Sequence, residues 1–150
     1  HWQAFRRLVG SSFSRDSDGD DPANSLLNYG YAIIRAATAR AIISAGLLPM
    51  IGVAHHHRGN AFALADDLVE PLRPMVDRVV VELMRNEWLS LSPLAKRPLI
   101  ETLTQVVEFD NERGPLMVQL HRYVASFYRS IKGESKRLII PRDMRPGIEP

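Results

Sequence analysis

Residues 21–45 read DPANSLLNYGYAIIRAATARAIISA, and this run decides the fold. Asp21 is a residue type that caps helices, and Pro22 follows at the first helical position, where a missing backbone N–H is harmless. Leu26, Leu27, Ile33, Ile34, Ala37, Ala41 and Ile42 then recur at helical spacing, which buries one broad face, and Gly46 ends the helix. Upstream, residues 2–9 read as the end of a helix stopped by Gly10, and residues 11–21 as a polar, acidic loop. Downstream, residues 47–58 form a connection, apolar at first and then histidine-rich. Asn60 is placed to cap a short helix over 61–70, which Pro71 kinks or ends. Pro74 restarts a helix to about residue 86, with Met75, Val76, Val79, Val80, Leu83 and Met84 as its buried stripe. Residues 93–98 are expected to turn, 98–109 to form a modest helix and 111–115 to turn again. Residues 116–131 are strongly amphipathic, with Leu116, Leu120, Tyr123, Val124, Phe127 and Ile131 on one face and Gly133 as the stop. No alternating strand pattern stands out. The expected architecture is all-α, a multi-helix bundle over residues 1–137, with 138–150 as an extended or disordered tail.

Composition narrows the function classes. A chain of 150 residues, 45% apolar and 24% charged, suffices for one domain with a real core. It holds no cysteine, which excludes a disulfide scaffold and thiolate metal sites and fits a cytoplasmic protein. The apolar stretch over 41–54 is too short for a membrane span and is interrupted by Ser44, Gly46 and Pro49, so no membrane partner is expected. Asp16, Asp18 and Asp20 mimic the start of a calcium loop, but Asp21 and Leu27 stand where a glycine and a glutamate are needed. No phosphate-cradling glycine loop, zinc-protease helix or nucleophile elbow occurs. His121 stands alone as a rim residue. Net charge is only +2, yet Arg129, Lys132, Lys136, Arg137, Arg142 and Arg145 gather at the end. Such a local excess suits an anionic partner, although a solvated tail would look the same.

The chemistry concentrates in residues 55–74, HHHRGNAFALADDLVEPLRP. Three histidines precede a short helix that carries Asp66, Asp67 and Glu70. Residues three or four apart share a helix face, so Glu70 can pair with either aspartate. Carboxylates with an imidazole make a hard oxygen/nitrogen site, suited to Mg²⁺ or Mn²⁺, that could activate a hydroxyl and stabilise charge on a phosphate. Arg73 could clamp a carboxylate or a phosphate oxygen. The same acids could equally be a solvated helix face, and Tyr29 and Tyr31 ordinary core residues.

The segment NSLLNYGYAII at 24–34 and the segment at 55–74 together resemble the CRISPR adaptation integrases, particularly those of type II systems. The shared pattern is Asn–x–Leu–Leu–x–Tyr–Gly–Tyr (Asn24, Tyr29, Tyr31), then a histidine, His55, upstream of Asn60, then the Asp–Leu–x–Glu–Pro–x–Arg–Pro helix end. The resemblance covers the whole chain as the C-terminal helical catalytic domain. It implies a metal-dependent DNA endonuclease and integrase of a prokaryotic cytoplasm, which inserts foreign DNA as new spacers by phosphoryl transfer. His55 and Glu70 match the metal ligands, and Asp67 matches the neighbouring acid that shares the metal or the catalytic role. Mg²⁺ or Mn²⁺ is the implied cofactor. Double-stranded DNA (prespacer and array), a small partner subunit and a second copy of the parent protein are the implied partners. Arg58, Arg73, Arg78 and Arg85 follow as candidate DNA-backbone contacts. The family's first ligand glutamate and its β-rich dimerisation domain have no counterpart here. His1 is also not an initiator methionine, so the chain is expected to be part of a longer protein. The competing expectation is a non-catalytic helical DNA-binding or assembly module.

Overall fold

A computed structural model describes residues 2–10, 12–54, 59–139 and 141. The chain is mainly helical: α1 (Trp2–Val9), α2 (Pro22–Ser44), α3 (Ala63–Val69), a 3-10 turn (Glu70–Leu72), α4 (Arg73–Arg85), α5 (Pro93–Glu101) and α6 (Leu116–Ile131), with one short hairpin, β1 (Val106–Phe109) and β2 (Glu112–Pro115). It divides into two units: His1–Ile33 with Arg73–Thr102, and Ile34–Leu72 with Leu103–Pro150.

In the first unit α1 packs on α4, and α4 on α5. Gly10 at φ 133° stops α1, and Phe5 and Phe13 stack tilted at 4.9 Å between ring centroids beside Trp2. Asp21 caps α2 by accepting from Asn24 N–H at 3.1 Å. The Tyr–Gly–Tyr motif has a packing reason. A Cβ at Gly30 would overlap Val76 Cγ1 and press within 3.2 Å of Leu99 Cδ2, so glycine lets α2 approach α4 and α5. Glu87, at φ 58°, turns the chain after α4.

In the second unit, α6 has the bounds that its periodicity predicts, and it packs on the hairpin. The hairpin is where sequence and structure differ. Residues 98–109 do not continue as a helix. Ser92 caps a helix that already begins at Pro93, its hydroxyl accepting from Ala95 N–H at 3.2 Å, and this helix ends at Glu101. The expected turn at 93–98 is therefore helical. Residues 106–109 form a strand, and residues 112–115, expected as a turn, form its partner, with Val106 opposite Pro115 and Phe109 opposite Glu112. Asp110 and Asn111, at φ 54° and 64°, make the two-residue left-handed turn whose twist suits a hairpin. Val107 and Phe109 point into the core, Val106 and Glu108 outward. Phe109 meets Tyr123 of α6 edge-on at 6.4 Å. Ile139 N–H donates to Ser126 Oγ at 3.0 Å and Arg137 pairs with Asp110, which seats the start of the 138–150 segment. Residues 140 and 142–150 of that segment lie outside the described residues.

Candidate metal centre and nucleic-acid surface

The second unit carries the three acids. Ahead of the short helix, the turn at Pro49 accepts Leu64 N–H at 2.7 Å through its carbonyl oxygen. The helix begins later than expected, at Ala63 with Phe62 in the capping position. Asn60 does not cap it. Its Oδ1 accepts from Phe62 N–H at 2.9 Å, a turn two residues long, while its Nδ2 donates to Asp66 Oδ2 at 2.7 Å. Arg35 lies 3.8 Å from Asp66 Oδ1 and sits over the Phe62 ring at 5.2 Å. Asp67 turns the other way. Its Oδ2 accepts two successive backbone N–H groups, Val53 at 2.6 Å and Ala54 at 3.0 Å.

Glu70 opens the 3-10 turn, one residue before Pro71. Proline carries no N–H and its ring crowds the preceding turn, so the α-helix tightens at this point. The Glu70 side chain is exposed and makes no hydrogen bond or ion pair among the described residues. An uncommitted carboxylate is the donor a hard divalent ion would recruit. Among the described residues no three histidine or acidic side chains converge as a ligand set. His55 and Arg58 lie outside the described residues, as do His56 and His57. Of the three acids, Glu70 is thus the one whose carboxylate is uncommitted among the described residues.

The first unit holds three of the candidate DNA-contact arginines, Arg73, Arg78 and Arg85. Arg15 is clasped by α2, donating to Asn24 Oδ1 at 2.9 Å and Asn28 Oδ1 at 2.6 Å. Asn24 is buried and saturated: its Nδ2 donates to Ser14 O at 2.8 Å and Asp21 Oδ2 at 2.6 Å, and its Oδ1 also accepts Asp16 N–H at 3.0 Å. Tyr29 carries Lys96 over its ring at 5.3 Å. Tyr31 is flanked by two guanidinium groups, Arg15 at 5.5 Å and Arg73 at 5.6 Å from its ring centroid. Its hydroxyl donates to Asp77 Oδ1. Burial holds the Tyr31 phenol well above its usual range, with the Asp77 charge and hydrogen bond adding to it. Burial pushes Asp77 up to about 6, against the opposing pull of the Tyr31 hydrogen bond and of Arg73 and Arg15. Arg73 Nε is buried and unpaired among the described residues. Arg78 and Arg85 line a cavity of about 400 Å³ with Phe5, Leu8 and Val81, and Arg85 is exposed.

The spacing of the acids was visible in the sequence, but the Tyr31–Asp77 pair and the clasped Arg15 were not. The available signal was a single aspartate inside the apolar stripe of α4, Met75 to Val81, where an acid must find a partner.

The family model described as "CRISPR associated protein Cas1" matches residues 1–104. A CRISPR-associated endonuclease Cas1 of Neisseria meningitidis serogroup C (strain 8013) is 35% identical over 140 residues, which are 91% of this chain and 45% of that protein. A CRISPR-associated endonuclease Cas1 2 of Pyrobaculum aerophilum is 33% identical over 132 residues, 87% of this chain and 44% of that one. The chain thus spans less than half the length of these relatives. Among solved structures, a chain described as "Casposase bound to integration product" superposes with a TM-score of 0.77 at 24% identity, covering 91% of this chain and 45% of that one, and so shares the fold.

Proposed function

The chain belongs to the CRISPR-associated Cas1 family, and from that premise we propose that it is the helical catalytic half of a metal-dependent DNA integrase and endonuclease, which inserts captured DNA fragments into a CRISPR array. The observation that carries this reading is Glu70, the acid ending the family-like motif, with an exposed carboxylate and no protein partner among the described residues. With His55 it would hold Mg²⁺ or Mn²⁺, and the ion when bound would lower the barrier by neutralising charge on the phosphate and the attacking 3′-hydroxyl.

The protein's own part is positioning. Phosphoryl transfer needs alignment and charge neutralisation more than covalent help. Arg73, held against the Tyr31 ring, keeps its planar guanidinium fixed for a phosphate oxygen. Arg78 and Arg85 offer further backbone contacts, and such contacts set register without reading bases. The partners in this reading are double-stranded DNA, a small bridging subunit and a second copy of the parent protein. A second reading is a non-catalytic DNA-binding or assembly module, using the same arginines.

Mn²⁺-dependent joining of a short duplex to supercoiled array plasmid separates the two. The assay compares this chain, a version extended upstream, and Glu70→Ala in each. Joining by the extended version and its loss in Glu70→Ala support the integrase. DNA binding without divalent metal, indifferent to Glu70→Ala and without joining, supports the module.

A further inference from the structure

Asp66, Asp67 and Glu70 look interchangeable in the sequence, but their surroundings divide them. Asp67 Oδ2 receives Val53 N–H at 2.6 Å and Ala54 N–H at 3.0 Å. Bonds from two successive N–H groups to an ionised acceptor are strong and directional, and they fix the backbone at those two residues. Asp66 works at the other end of the same connection. Its Oδ2 accepts Asn60 Nδ2 at 2.7 Å, Asn60 Oδ1 in turn accepts Phe62 N–H at 2.9 Å, and Arg35 braces both Asp66 and the Phe62 ring. Residues 53–54 and 60–62 are thereby tied to adjacent positions of one short helix. Among the described residues, Glu70 is the one of the three with no such commitment.

We infer that Asp67 is a positioning residue: its carboxylate anchors the backbone at Val53 and Ala54 and is not a ligand of the metal. The inference rests on the metal-dependent reading of Glu70 and assigns the neighbouring acid a different task. Asp66 serves as the matching anchor through Asn60. The backbone that leads into the histidine-bearing segment is therefore set by α3, the helix that also leads into Glu70. Second-tier groups of this kind affect metal affinity and activity through the geometry they impose.

The chemistry makes the two roles separable. Asparagine keeps a carbonyl oxygen that can accept both N–H groups but carries no charge for a cation. Alanine keeps neither. Amide hydrogen exchange at Val53 and Ala54 is measured on this chain, and Mn²⁺ dissociation constants by electron paramagnetic resonance on the upstream-extended protein, for wild type, Asp67→Asn, Asp67→Ala and Glu70→Gln. Asp67→Ala is expected to speed exchange at both amides on the order of 10- to 100-fold, the loss of charge-assisted bonds. Asp67→Asn is expected to hold exchange and Mn²⁺ affinity within about 3-fold of wild type, well inside the 10- to 100-fold cost of losing a supporting group. A rise of the Mn²⁺ dissociation constant in Asp67→Asn as large as in Glu70→Gln overturns the inference, as does exchange unchanged in Asp67→Ala. If Glu70→Gln leaves Mn²⁺ binding unchanged, the metal reading fails, and the exchange data still decide the anchor. If Asp67→Ala does not fold, Asp67→Ser, whose shorter hydroxyl cannot span both N–H groups, takes its place in the exchange measurement with the same expected rise and the same overturning result.

Discussion

Asp77 provides a quantitative check on the buried cluster of the first unit. It is 6% exposed and sits against the Tyr31 hydroxyl. Burial pushes its carboxyl from 3.8 to about 6, in spite of the nearby guanidinium groups. Each pH unit of such a shift is worth about 1.4 kcal/mol, so the site disfavours the charged form by about 3 kcal/mol. The sign follows from the direction. A carboxyl raised on folding is more readily protonated in the folded state, so its stabilising contribution is complete below pH 3.8 and is lost as pH rises to about 6. Asp77→Asn has no such titration and keeps an oxygen for the Tyr31 hydroxyl. Its stability relative to wild type should therefore rise by about 2 kcal/mol between pH 4 and pH 7, most of the full shift. The absolute offset also contains whatever the new amide N–H₂ lacks in partners, about 1–3 kcal/mol if none is found, so the change with pH is the quantity to read. Urea unfolding followed by circular dichroism at half-unit steps gives both curves. Parallel curves, or a variant that loses ground as pH rises, would refute the assignment of a strained carboxylate at this position.

Gly30→Ala should destabilise the first unit by about 1–3 kcal/mol, because its methyl meets Val76 and Leu99 in a packed core; thermal unfolding measures this, and an unchanged midpoint would mean that α2 does not approach α4 as described. Arg85→Ala should weaken binding of any duplex alike and lower the salt dependence of affinity by about one ion, as expected for a single phosphate contact. Filter binding over a salt series reads it, and an unchanged slope removes Arg85 from the DNA surface. Because Arg85 is exposed at the end of α4, its removal should leave stability within about 0.5 kcal/mol.

Much of this architecture is legible because it is written in local signals. Asp21–Pro22 and Gly46 bracket α2, Gly10 stops α1, and the stripe from Leu116 to Ile131 gives α6 its bounds. The hairpin was not legible for equally local reasons. Val106 and Val107 follow a run at helical spacing, four residues are too few to establish alternation, and Asp110–Asn111 signals a left-handed turn only once both flanking segments are known to be extended. In the site, Asp67 and Glu70 stand at a visible spacing, but what each carboxylate touches depends on a backbone that returns from Val53 and Ala54. The Tyr31–Asp77 pair joins residues 46 apart, and no period reports such a contact.

Glu70 is the residue on which the proposed chemistry depends. The most direct test is single-turnover joining of a labelled DNA 3′ end to an array duplex by the upstream-extended protein, titrated with Mn²⁺, for wild type and Glu70→Gln. If Glu70 helps hold the ion that neutralises the reacting phosphate, the rate should fall by roughly 10²–10³-fold or more, the cost of losing a transition-state charge stabiliser, with DNA affinity unchanged. Joining by Glu70→Gln within about 3-fold of wild type at every Mn²⁺ concentration, far inside that range, would contradict the proposed centre.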